Sequence, residues 1–309
     1  MNRYVLRRLG GMLGALAIVS VLAFSLLDTI PGDAAAAVAG ESASAQQLSA
    51  LRASMGLDQT PLMRYGAFVA NLVSRGDLGR SLISNRPVAQ LLGERLPYTV
   101  VLALVSLGLA LLVGAAAALF AAPRAGSWWD TLCMGGISLG LAVPSFWSAL
   151  LMLLLFSVTL RWLPVVGADT PAHLVLPAVT LALPTAATVA RLLRSSLLDV
   201  LRADYVRTAH AKGLPASRVL SRHVLRNSLL PVVTLLGMQL GNLLGGAFIV
   251  ETIFAWPGLG RLAVQAVFDR DYPVVLGAVL VTALVYLVIN FMVDILHGWL
   301  DPQVSRAAV

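Results

Sequence analysis

Apolar residues fall along this chain in six stretches: Leu9 to Ile30, Pro97 to Ala121, Leu132 to Leu160, Leu174 to Leu193, Leu229 to Val250 and Pro273 to Leu296. Each is long enough for a bilayer-crossing helix, which takes about 20 residues. The pattern predicts an all-α, polytopic membrane protein with six transmembrane helices and both termini on one side. A polar stretch, 31–96, separates the first two spans. Within it Glu41 to Met55 places Leu48, Leu51 and Met55 at helical spacing, and Pro61 to Val73 continues with Met63, Phe68 and Leu72. Two short amphipathic helices are expected there, either lying on the membrane surface or packed on each other. Gly76-Asp77-Leu78-Gly79-Arg80-Ser81 then reads as a tight turn ahead of Pro87 and Pro97.

The other polar stretch, 198–228, is strongly basic. It carries Arg202, Arg207, Lys212, Arg218, Arg222 and Arg226 against Asp199 and Asp204. At about 2.5 to 3.5 kcal/mol per cation at the bilayer centre, burying them in hydrocarbon costs roughly 15 to 20 kcal/mol, so the segment lies in water. Asp199 to Lys212 has no Gly or Pro and is expected to form a short free-standing helix ended by Gly213, with Lys212 in its last turn facing the negative end of the helix dipole. Leu201, Tyr205 and Ala209 would make an apolar stripe on it, of the kind that binds a partner. Pro215 opens a second helix, Ala216 to Ser228, with Arg218, Arg222 and Arg226 on one face. Anionic lipid headgroups would offset that row of like charge.

Composition agrees with a membrane protein: 58% of residues are hydrophobic and 12% charged, about half the charged fraction of a soluble domain. With the termini assigned to the cytoplasm, thirteen of the 22 Lys and Arg and five of the 15 acids fall inside, leaving nine and ten outside. The excess of cations inside follows the positive-inside rule. The net charge of +7 is therefore explained by orientation and not by nucleic acid, for which no patch with interleaved aromatics exists. Arg3, Arg7 and Arg8 before the first span, with Ala37-Val38-Ala39 after it, resemble a secretory signal, but Leu9 to Leu27 exceeds the usual 7 to 15 apolar residues of such a core, so an uncleaved helix is expected. The single cysteine, Cys133, has no intrachain partner.

Catalytic chemistry is missing from the sequence. There is no Gly-x-x-x-x-Gly-Lys-Ser/Thr stretch to hold nucleotide, no readable nucleophile with its base, and His173, His210, His223 and His297 are scattered without metal-ligand spacing. The chain is expected to bind no cofactor and to be no enzyme. Within the spans Gln239 and Asn242 are three apart and Asn290 and Asp294 four apart, so each pair shares a helix face. Polar groups at membrane depth face a bundle interior or a water-filled path, and these four are the candidate pathway residues. For Asn290 and Asp294 a structural hydrogen-bonded pair is an equal reading. Gly237, Gly241 and Gly245 form a ridge that would pack against a partner or line the pathway.

Tyr205-Val206-Arg207-Thr208-Ala209-His210-Ala211-Lys212-Gly213-Leu214, followed by Val219, His223, Leu225, Arg226, Asn227 and Pro231, resembles the cytoplasmic loop of ABC-importer permeases of the dipeptide and oligopeptide class. Three further stretches agree: Arg7-Arg8 through Pro31-Gly32-Asp33; Gly76 to Ser81 with Arg95 and Pro97; and Glu251-Thr252-Ile253-Phe254 with Pro257 to Arg261 and Arg270 to Pro273. The long loop after the first helix resembles the B-type member of the permease pair. The broader importer pattern has Glu-Ala-Ala where this chain has Arg207, Thr208 and Ala209, so the role of that glutamate does not carry over.

The resemblance implies a type I importer permease (MetI-like) fold in a bacterial cytoplasmic (inner) membrane, with both termini cytoplasmic. It implies that Asp204, Tyr205, Arg207, Thr208, Ala209, Lys212, Gly213, Leu214 and Pro215 engage an ATPase. Two ATPase subunits or domains using ATP and magnesium, a C-type permease, an extracytoplasmic substrate-binding protein and membrane lipid would be the partners, and di- or oligopeptides the cargo. The alternative is an ion-gradient-driven secondary transporter or channel, which expects acids at mid-membrane and inverted repeats. Only Asp294 approaches the first, and no repeat is found.

Overall fold

The computed structural model describes residues 2–29, 44–54 and 58–300. Pro31-Gly32-Asp33, Ala37-Val38-Ala39 and Arg306 lie outside the described residues, as do the side chains of Arg3 and His297. The described residues are helical apart from loops and one isolated bridge between Arg80 and Pro87. In chain order the helices are α1 (Asn2–Thr29), α2 (Ala45–Ser54), α3 (Pro61–Arg75), α4 (Val88–Ala121), α5 (Trp128–Ala142), α6 (Ser145–Met152) and α7 (Ala172–Leu201). There follow α8 (Asp204–Ala211), α9 (Ala216–Val219), α10 (Arg226–Ser228), α11 (Leu230–Gly246), α12 (Phe248–Ile253), α13 (Leu259–Phe268) and α14 (Tyr272–Leu300). Among the described residues four helices are long and apolar enough to cross a membrane, and the spans number six if each of two bent pairs counts as one.

The chain divides into two compact units, one built on Met1–Thr99 with Pro257–Val288, the other on Val100–Trp256 with Ile289–Asp301. In the first unit α3 packs on α1, where Tyr65 hydrogen-bonds Ser20 at 2.7 Å and its ring meets Phe24 edge-on. Two short helices therefore exist where they were expected, Ala45–Ser54 within the described part of Glu41 to Met55 and Pro61–Arg75, and α3 packs on the first span. The turn at Gly76 to Ser81 is tied down by Asp271, whose buried carboxylate accepts from the Ser81 hydroxyl at 2.5 Å and from the Leu82 amide at 3.0 Å. Thr99 supplies a hydroxyl to the Leu259 amide at 2.8 Å and so caps α13, a helix the apolar pattern does not predict. Two stretches distant in sequence are thus one structural unit around Val88, Leu92, Val274 and Ala278.

In the second unit α7 is the central helix. More than half of its most apolar window is buried, a larger share than in the other single-helix spans (56%, against 39% or less). Its inward face is small: Ala178, Ala182, Ala186, Ala187 and Ala190. In lipid there is no hydrophobic gain from burying leucine, so helices associate by close van der Waals approach over small residues. Gly114 on α4 and Gly140 on α5 complete this fit, since a β-carbon would stand 2.7 Å from the Ala186 carbonyl oxygen and 2.8 Å from that of Leu183.

Several sequence-based boundaries are corrected. The span expected at Leu132 to Leu160 is not one helix: α5 and the segment Ser145–Thr159 meet at 103°. Pro144 is the cause, because it lacks an N–H and pushes Val143 into extended backbone (φ −94°, ψ 123°). From Leu153 to Thr159 the helix widens into π-type turns. The second span begins earlier than expected, at Val88, with Pro97 inside it. The fourth runs on to Leu201, so the polar segment 198–228 starts within a helix. Gly237, of the expected glycine ridge, packs against Val293 of this same chain, while a β-carbon at Gly245 would meet nothing within 4 Å.

Gly140→Ala is expected to destabilise the bundle by about 1 to 3 kcal/mol, because its added carbon meets backbone that cannot give way. Gly245→Ala should leave stability unchanged. Thermal melting of the two variants in detergent separates them.

Candidate functional site

The polar segment after α7 is built around Val206 and Ala209. Both are buried, in a core with Leu193 and Leu197 of α7, Val219 and Val224 of the following helical segment, and Val232 of α11. Burying a valine side chain is worth about 1.5 to 3 kcal/mol, enough to hold a helix of two turns against the bundle. The helix expected at Asp199 to Lys212 is accordingly two: α7 ends at Leu201, Arg202 and Ala203 turn, and α8 begins at Asp204. No Gly or Pro marks that break; the turn is imposed by the need to bring Val206 and Ala209 inward.

The free-standing helix and its exposed stripe are therefore corrected. Ala209, assigned to the stripe, faces the core, and α8 rests on its own chain. Leu201 and Tyr205 remain exposed, with Arg207, Thr208 and Lys212 beside them. The Tyr205 hydroxyl accepts from the Asn227 amide at 3.0 Å, which fixes the ring to the segment leading into α11. Arg207 and Asp204 form an exposed ion pair of 3.5 Å, a contact of little energetic weight.

The end of α8 is as expected. Gly213 has φ +75°, its N–H reaches the His210 carbonyl oxygen at 2.9 Å, and the Leu214 N–H reaches that of Ala209 at 3.3 Å. This double closure is the Schellman arrangement, which requires a residue tolerant of left-handed backbone. Leu214 packs on the same core as Ala209, and Pro215 starts α9 in extended backbone. Leu220 to Leu225 then winds as π-type turns, so the expected helix Ala216 to Ser228 is not uniformly α, and Arg218, Arg222 and Arg226 all stay exposed.

Asp130 and Arg194 fix the same end of the bundle. The guanidinium donates twice to the carboxylate, at 2.7 and 2.5 Å, and Asp130 is buried at the start of α5 with the Gly126 amide also donating to it. A bidentate pair of this kind joins the start of α5 to the C-terminal half of α7 in one geometry. Sequence reading placed both residues on one side but had no signal that they pair.

Gln239 and Asn242 come together on α11, the Asn242 amide donating to the Gln239 carbonyl oxygen at 3.0 Å. They line a cavity of about 230 Å³ with Ser145, Thr185, Thr188 and Leu181. Ser145 belongs to the break after α5, a feature the apolar pattern hid. Asn290 and Asp294 are half-buried on α14 and do not line this cavity. Among the described residues no group of three His, Cys, Asp or Glu converges as a metal set.

Residues 110–306 match the family model described as binding-protein-dependent transport system inner membrane component, and residues 1–103 match the N-terminal model of the same system. The chain belongs to this family. It is an ABC-importer permease of the peptide class, a multi-pass inner-membrane protein that works with ATPase and substrate-binding partners. It is similar to the glutathione transport system permease protein GsiC of Escherichia coli (strain K12), 43% identical over 304 residues that cover 98% of this chain and 99% of that one. The protein of that name from Shigella flexneri serotype 5b (strain 8401) is 42% identical over the same length. Among solved structures the permease shares its fold with the inward-facing MetNI methionine ABC transporter, with a TM-score of 0.56 at 18% identity over 69% of this chain and 97% of that one. An amino acid ABC transporter with histidines gives 0.51 at 18% identity over 70% and 94%. The type I importer fold expected from the sequence is the fold observed.

Replacing Gly213 by Ala puts a β-carbon into left-handed backbone at a cost of about 1 to 2 kcal/mol. The expected result is faster amide hydrogen exchange confined to Ala209–Leu214, with exchange in α7 unchanged.

Proposed function

We propose that this permease is one half of an import channel for short peptides of the glutathione kind, driven through α8 by ATPase subunits on the cytoplasmic side. One observation carries the reading: α8 is gripped by the bundle through Val206 and Ala209 while Tyr205, Arg207, Thr208 and Lys212 face outward. A helix held in this way passes a push directly to what grips it. The gripping residues Leu193 and Leu197 sit on α7, and Val232 sits on α11. Those two helices also carry Thr185, Gln239 and Asn242, which line the polar cavity. Along α7 the separation from Leu197 and Leu193 to Thr185 is roughly 12 to 18 Å at 1.5 Å per residue. A rigid shift of α7 and α11 on ATPase closure would alter the cavity, as alternating access demands.

In this reading Asp204 to Pro215 is the ATPase-docking surface, and the two ATPase subunits or domains bind ATP and magnesium. A C-type permease supplies the other half of the channel, and an external binding protein delivers the cargo. Both termini and the basic segment face the cytoplasm, in keeping with the positive-inside count and with the Asp130–Arg194 pair at that end. The peptide cargo follows from relatives at 43% identity whose names state glutathione transport.

Reversing charge at Arg207 and Lys212 together (Arg207→Glu, Lys212→Glu) is expected to cut the ATPase co-purifying with the assembled complex at least about tenfold, since like charge across an interface costs several kcal/mol. Uptake of labelled glutathione by the reconstituted wild-type complex should require ATP. Full ATPase retention by the double variant, or uptake by the isolated chain on an ion gradient alone, overturns the proposal.

A further inference from the structure

We propose that Gln239 and Asn242 act as a paired carboxamide clamp that hydrogen-bonds the peptide bond of the passing cargo; the inference rests on the peptide-import reading above. The two side chains stand three residues apart on α11 and are joined by one hydrogen bond of 3.0 Å. That bond uses one N–H and one carbonyl lone pair. Whichever way the two amides are oriented, the pair keeps three N–H donors and three acceptor lone pairs for a ligand. A peptide bond presents the complementary acceptor and donor. The same bidentate logic lets Asn and Gln read an adenine edge.

The surroundings suit that ligand. The cavity adds the hydroxyls of Ser145 and Thr185 and the apolar walls of Leu141 and Leu181, and no charged side chain lines it among the described residues. Thr188 is already committed, its hydroxyl donating to the Pro184 carbonyl oxygen at 3.0 Å. A charged subsite at this depth would bind one class of side chain and hold it; a neutral donor–acceptor pair recognises the unit every peptide shares and lets it go. Passage requires binding weak enough to leave. At about 230 Å³ the part of the cavity that this chain lines is large enough to receive a peptide unit.

The test uses the complete complex with its ATPases and binding protein in liposomes. Uptake of dialanine, of its ester analogue alanyl-lactate, which lacks the amide N–H, and of glutathione is measured for wild type and for Gln239→Leu with Asn242→Leu. The variant is expected to need about tenfold more dialanine for half-maximal uptake. The penalty that wild type imposes on the ester should shrink in the variant, and any preference of the binding protein cancels because both complexes share it. Unchanged concentration dependence, or an undiminished ester penalty, overturns the clamp while peptide import stands. A wild-type complex that imports neither dialanine nor glutathione overturns both. Should the leucine variant fail to retain ATPase, Gln239→Glu carries the test: an added negative charge should lower uptake of anionic glutathione about tenfold more than that of dialanine, and an equal effect on both overturns the clamp.

Discussion

Close approach of backbones along α7 is the constraint on which the second unit depends. Hydrocarbon offers no reward for hiding leucine, so the close approach of Gly114 to Ala186 and Val189, and of Gly140 to Leu183, takes the place of the hydrophobic drive of a soluble core. That fit holds α7 closely against α4 and α5, although Pro177 and Pro184 interrupt its own backbone hydrogen bonding. The Asp130–Arg194 pair and the Val206 and Ala209 contact lie toward its C-terminal end, and Thr185 and Thr188 of the same helix line the polar cavity.

Regular and irregular helix alternate in the second unit. α8 is short, with a buried face that holds it and an exposed face free to engage a neighbour. The break at Pro144 and the π-type turns at Leu153 to Thr159 and Leu220 to Leu225 are the irregular places, and interruptions of this kind occur where a pathway or a hinge needs them. In the first unit the turn at Gly76 to Ser81 is seated both by polar contacts, from Asp271 to Ser81 and Leu82, and by packing of Leu78 on the apolar core.

Much of this was legible in the residues. Apolar length located the spans, cation cost located the aqueous segment, and Gly213 marked the end of α8 because left-handed backbone excludes most other residues. The motifs at Tyr205 to Leu214, Gly76 to Ser81 and Glu251 to Arg261 carry the family resemblance in the sequence itself. The turn at Arg202 and Ala203 was not legible, because those residues are ordinary helix formers and only the demand of Val206 and Ala209 for a core bends the chain there. The apolar run across Pro144 hid a 103° change of direction, since hydropathy counts residues and does not register a missing N–H.

The sequence alone determined that this protein lives in a membrane and carries one strongly basic segment that hydrocarbon would not hold, because those facts rest on transfer energies that each residue carries independently of its neighbours in space. Only the tertiary structure decided that α8 is anchored, that Asp130 meets Arg194 across 64 positions and that Gln239 and Asn242 open onto Ser145 and Thr185. Those are contacts between distant parts of the chain, and a one-dimensional pattern of hydropathy contains no distance between them.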